Sequence, residues 1–125
     1  MHSTNYTNTF IAVADDCKAA VGAPPPEKQA KTIARMHYEL IHENPYHYTS
    51  DDLLFAVYAA RNGIEHTALE AKRAEFFSKG QACLRSSPLG KTYGWGIHYD
   101  GESKVAIYAR GSAAYEQLRA DPSLH

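Results

Sequence analysis

Residues 93–109 read YGWGIHYDGESKVAIYA, two β-favouring runs separated by Asp100-Gly101. Asp-Gly between alternating apolar runs is a strong short-range hairpin signal, because both residues tolerate the left-handed backbone of a tight turn. The side-chain period of 2 in a strand puts Tyr93, Trp95, Ile97 and Tyr99 on one face and Gly94, Gly96 and His98 on the other. If 99–101 is a three-residue loop, Trp95 lies opposite Val105 and Tyr93 opposite Ile107. The aromatic face is then the core face, and the other carries Gly94, Gly96, His98, Lys104, Ala106 and Tyr108.

The stretch leading into this hairpin, RSSPLGKT at 85–92, ends like a Walker A loop. That loop needs a glycine five positions before Gly90, where this chain has Arg85. Pro88 removes an amide that should face phosphate, and a strand follows where a helix should begin. The stretch is no nucleotide loop; Ser-Ser-Pro-Leu-Gly reads as turn chemistry.

Moving outward, residues 8–14 (NTFIAVA) form a short strand stopped by Asp15-Asp16. Residues 18–26 end in three prolines and make an extended linker within the domain. From about Glu27 to Glu43, Ala30, Ile33, Ala34, His37, Leu40 and Ile41 recur on one helix face, and Asn44-Pro45 ends the helix. Tyr46-His47-Tyr48 is an aromatic loop. Thr49-Ser50-Asp51-Asp52 reads as a capping box opening a helix to Arg61, with Asn62-Gly63 as its stop. Thr67-Ala68-Leu69-Glu70 reads as a second, opening a helix that buries Leu69, Phe76 and Phe77 and ends at Gly80. Ser112 caps a last helix, Ala113 to about Ala120, near Pro122. The expected fold is α+β: one small domain over 1–125, order β-ααα-ββ-α, an antiparallel sheet packed against helices.

At 125 residues the chain suits one hydrophobic core. Thirteen basic and fourteen acidic residues give a net charge of −1, which offers no overall attraction to nucleic acid or acidic lipid. No window approaches a membrane span, and MHSTNYTNTF lacks the pattern of a secretory signal. Cys17 and Cys83 form no CxxC pair. A cytoplasmic location with reduced thiols is the expectation.

Several residue sets invite chemistry. Lys79, Arg85 and Lys91 stand in a stretch without acids beside the hydroxyls of Ser86, Ser87 and Thr92, a candidate anion surface competing with plain turn chemistry. Glycines inside a strand mark a close approach of backbone or ligand, so Gly96, with His98 beside it and Tyr108 across, either opens a small-molecule site or accommodates a packed element. His37 and His42 are five apart, about 140° around a helix, whereas metal-binding helices place histidines four apart; a metal is not expected. Cys83 lies near the Arg85 charge, which lowers a thiol pKa, and His98 is the candidate base for an enzymatic reading. The helix pair around Asn62-Gly63-Ile64 has helix-turn-helix spacing, but Lys72, Arg73 and Lys79 alternate with Glu70 and Glu75, so nucleic acid is an unfavoured partner. Nine of the fourteen aromatic residues are tyrosine, a type enriched where surfaces bind.

The chain also resembles a bacterial and fungal family of unknown function, domain of unknown function 6157. The resemblance rests on NTFIAVADDC, PPEKQAKTIARMHYEL, NPYHYTSDDLLFAVYAARNGI, FFSKGQACLRSSPLGKTYGWGIHYD and KVAIYA. It spans nearly the whole chain and implies a single small cytoplasmic domain, with no activity, cofactor or catalytic residue attached.

The residues therefore favour a binding domain for a small anionic molecule or a protein partner at the 83–98 surface. Arg85, Ser86, Ser87 and Lys91 would supply charge and hydroxyls, His98 and Tyr108 hydrogen bonds, and Gly96 access. An enzyme using Cys83 or His98 is the alternative, nucleic-acid binding the second, and no cofactor is expected.

Overall fold

The computed structural model describes residues 3–27, 31–81, 84 and 87–124. A three-stranded antiparallel sheet has β2 (Trp95–Tyr99) at its centre, flanked by β1 (Thr9–Ile11) and β3 (Val105–Ala109). Helices α1 (Ile33–Glu43), α2 (Ser50–Arg61), α3 (Leu69–Phe76), α4 (Pro88–Lys91) and α5 (Ala113–Ala120) complete the described elements. The architecture is α+β, and the expected order holds with two additions, a 3-10 turn at His66–Ala68 and the single-turn helix α4.

Side-chain caps set the helix starts. The hydroxyls of Thr32, Thr49, Ser87 and Ser112 accept from the backbone amides of Arg35, Asp52, Leu89 and Tyr115, each satisfying a donor that the first helical turn leaves unpaired. The first helix thus begins at Thr32, several residues after the prolines. Thr67 does not cap: it lies inside a 3-10 turn, His66–Ala68, and α3 begins from Ala68 without a side-chain bond and ends at Phe76. Of its apolar residues only Phe77, just past the helix, is fully buried.

The hairpin register differs from the expected one by four residues. Trp95 pairs with Ala109, Ile97 with Ile107 and Tyr99 with Val105. The cause is Asp100, whose carboxylate accepts from the amides of Glu102 and Lys104 at 2.8 and 2.9 Å and wraps residues 100–104 into a five-residue loop with Ser103 at φ 66°. An even shift leaves every side chain on its expected face. Gly94 is not part of the strand; at φ 79° it turns the chain into β2, closely approached by Ala19.

The sheet has a core on each side. Trp95, Ile97, Tyr99, Val105 and Ile11 pack with Ile41, Leu53, Leu84 and Leu89 from the helices. On the opposite side Phe10 and Val13 pack with Tyr115 of α5. Residues 18–26, read as a linker, contain no helix or strand but are tied down. Gly22 donates to the Arg110 carbonyl, Ala23 to that of Tyr93, and the Trp95 indole to that of Ala23.

Candidate functional site

The two-sided sheet separates the residues that the sequence suggested as one surface. Ser87, capping α4, and Lys91, exposed at its end, lie with the helices. Gly96, His98 and Tyr108 face the α5 side. Arg85, Ser86 and Cys83 lie outside the described residues.

Gly96 offers no access. A methyl group at its α-carbon would stand 2.5 Å from Phe10 Cζ and 2.7 Å from Tyr115 Cε2, so two aromatic rings fill the space above the strand. The gap serves packing, which corrects the expectation that Gly96 opens a ligand site.

His98 and Tyr108 are brought together, through a residue the sequence left as an aromatic loop. The Tyr46 hydroxyl lies 2.7 Å from His98 Nδ1 and 2.6 Å from the Tyr108 hydroxyl. Burial pushes the Tyr46 phenol above its ordinary pKa, reinforced by Tyr108. Burial also lowers the His98 pKa, against the opposing pull of Asp100 and Asp121. A neutral His98 accepting from Tyr46, which in turn accepts from Tyr108, satisfies all three groups. Tyr46 itself adopts φ 57°, unusual for an aromatic residue, and its amide donates to the Val105 carbonyl at 2.9 Å. The trio therefore clasps the 44–48 loop to the sheet.

A cavity with different chemistry lies between α1, α2 and α3. It is a recess of about 230 Å³, open to solvent on one side, with Ile33, Leu54, Val57, Tyr58 and Phe76 as apolar walls. That is more than the about 150 Å³ that holds benzene in a protein core. Ile33 and Tyr58 are 42% and 38% exposed, two of the few large apolar residues so open to solvent, and both belong to its lip. Arg61, Asn62 and Gln81 contribute polar groups.

His37 lines this cavity and is only 3% exposed. Its Nδ1 lies 2.9 Å from the Ser87 hydroxyl, which also accepts from the Leu89 amide at 3.2 Å. Burial lowers the His37 pKa to about 4, so the ring is neutral at pH 7. A neutral imidazole carries one proton. If it sat on Nδ1, the Ser87 hydroxyl proton would be left without an acceptor among the described residues. With Ser87 donating to Nδ1 and the ring proton on Nε2, only one group, the Nε2–H, is left without a partner, so this tautomer is favoured. That Nε2–H has no hydrogen-bond acceptor among the described residues, which leaves it for a cavity occupant. His42, by contrast, is exposed and stacks on Tyr38 at 4.9 Å between ring centroids, so the two histidines diverge as their spacing implies.

The fold and this cavity define a small α+β domain with a partly apolar recess and a buried, neutral histidine. The chain belongs to the family of unknown function DUF6157, whose model matches residues 1–125. Neither the curated proteins nor the solved structures contain a match to it. Among the described residues no helix is long and apolar enough to cross a membrane.

Proposed function

We propose that this protein is a cytoplasmic single-domain binding protein for a small molecule with an apolar body and an anionic, hydrogen-bond-accepting head, held in the His37 cavity. The observation that carries the reading is the Ser87–His37 pair. His37 lines the cavity, and its Nε2–H, left without an acceptor among the described residues, would gain about 0.5–1.5 kcal/mol from a ligand acceptor there. The apolar walls supply the remaining affinity in proportion to the area they bury. Arg61 at the cavity gives an anionic head a counter-charge without requiring it to be buried. Of the 83–98 surface, Ser87 enters this reading by fixing the histidine tautomer.

The test is a thermal-shift and calorimetric series with octanoate, 4-phenylbutyrate and the matching alcohols. Carboxylates should raise Tm in a concentration-dependent way, more than the alcohols do. His37→Phe should weaken binding about 3- to 12-fold, the worth of one hydrogen bond. Ile33→Trp, at the exposed lip, should block entry without disturbing the core. Equal binding by wild type and both variants would refute the reading.

A second reading, an enzyme using His98 as base, takes the other tautomer, in which Nδ1–H donates to the Tyr46 hydroxyl and Tyr46 donates to Tyr108; this orients the ring and leaves the Nε2 lone pair to accept a proton. It requires turnover that His98→Gln abolishes and Ile33→Trp leaves intact. Turnover surviving in His98→Gln would remove it.

A further inference from the structure

A second cavity, of about 220 Å³, lies on the α5 side of the sheet, where the chain leaves β1 and β3. It is lined by Asp15, Arg110, Tyr115 and the Glu116–Arg119 pair, with Ala12 and Val13 completing the wall. This lining is charged where that of the His37 cavity is apolar.

Two donors there lack a strong acceptor among the described residues. Tyr115 is only 3% exposed, and its hydroxyl accepts from the Val13 amide at 2.9 Å. Its own proton has no acceptor among the described residues. A phenol held this deeply normally satisfies its O–H. Arg110 is half-buried, and its Nη1 makes one long contact, 3.4 Å, to the Ala19 carbonyl. No carboxylate pairs with it among the described residues. Its backbone is fixed by bonds with Gly94 and Gly22, so the side chain starts from a rigid base.

Asp15 carries the opposite charge in the same cavity and has no cationic partner among the described residues. Glu116 and Arg119 bond to each other at 2.9 and 3.1 Å and so largely cancel. One cation and one anion thus share a polar cavity without forming a salt bridge to each other.

We infer that this cavity binds a small zwitterion of the α-amino acid class. The ligand carboxylate accepts from the Arg110 guanidinium and the Tyr115 hydroxyl, and its ammonium donates to Asp15. Arginine suits the carboxylate because its planar fork can give two parallel N–H bonds. The volume admits a small or medium-sized amino acid and excludes a peptide of any length.

The experiment follows Arg110 side-chain and Tyr115 ring resonances by NMR during titration with alanine, valine and glutamine. Propionate, which lacks the ammonium, and ethylamine, which lacks the carboxylate, serve as controls. Saturable shifts at both residues by at least one amino acid, with either control binding about tenfold or more weakly, are expected. Arg110→Gln should weaken the amino acid about tenfold or more, and Asp15→Asn should weaken it several-fold while leaving propionate unaffected. Both substitutions are outside the apolar core, so they test the site without Tyr115→Phe, which would disturb packing on Gly96. No saturable shift at either residue up to about 10 mM of any amino acid would overturn the proposal. Propionate binding as tightly as alanine, with Asp15→Asn silent, would overturn the zwitterion assignment. The signals differ from those of His37, so failure here is distinguishable from failure at the other cavity.

Discussion

Replacing Gly96 with alanine puts a methyl group where two aromatic rings already stand. Its carbon would lie 2.5 Å from Phe10 Cζ, 2.9 Å from Phe10 Cε1 and 2.7 Å from Tyr115 Cε2. Comfortable carbon–carbon contact is about 3.5–4.0 Å, so both rings must retreat by roughly 1 Å. Neither does so freely. Tyr115 is anchored through its hydroxyl to Val13, and Phe10 sits on β1 opposite His98. The rings also pack edge-to-face on each other at 5.3 Å, so moving one disturbs the other. Overpacking of this kind costs about 1–3 kcal/mol. The lower chain entropy of alanine returns about 0.5–1 kcal/mol. The net loss, about 1 kcal/mol and at most about 2.5, should lower Tm by roughly 3–5 °C for a chain of this length. Urea unfolding should show a lower midpoint at unchanged slope. Combining the substitution with Phe10→Leu should recover part of the loss, a coupling of about 0.5 kcal/mol or more. A midpoint equal to or above wild type would refute the argument and mean that the Gly96 face is open.

Three further outcomes follow from the buried polar groups. The folded pKa of His37, about 4, lies below its ordinary 6.5, so the unfolded chain binds the proton more readily. Stability should be full above pH 6.5 and fall as pH drops from there to 4, by up to about 3 kcal/mol; His37→Phe, read by urea unfolding across that range, should flatten the slope. Tyr46→Phe removes the hydroxyl bonded to His98 and Tyr108 and should cost about 1–2 kcal/mol, with faster amide exchange in the 44–48 loop. Asp51 is 4% exposed and accepts from the Thr4 amide and hydroxyl at 2.7 Å and from Ser3 Oγ at 2.8 Å. Asp51→Ala should cost about 2–3 kcal/mol and release the Thr4 amide to exchange, whereas Asp52→Ala, half-buried, should leave that amide protected.

Local signals in the sequence carried most of the fold. Thr49 and Ser112 announce their helices because a cap is a bond within three residues, and the alternation in 95–109 places every side chain on its correct face. Thr67 misleads because a 3-10 turn takes up the residues it would have capped. The hairpin register eludes the pattern because an even shift keeps the alternation, and only Asp100 gathering two amides reveals the longer loop. The site was far less legible. Ser87, His98 and Tyr108 were singled out, but their partners, His37 and Tyr46, lie 50 or more residues away in sequence. Period 2 sorts the faces of a strand without showing what covers each one. Gly96 could therefore signal either an opening or a close packing, and two rings decide for packing.

The protonation state of His37 tests the account most directly. A long-range proton–nitrogen NMR correlation of the imidazole, followed from pH 8 to pH 4, reports both its tautomer and its pKa. The ring should stay neutral until about pH 4 with its proton on Nε2, and addition of octanoate should shift Nε2 much more than Nδ1. A proton on Nδ1, or titration near 6.5, would contradict the Ser87 bond and remove the donor on which the proposed ligand depends.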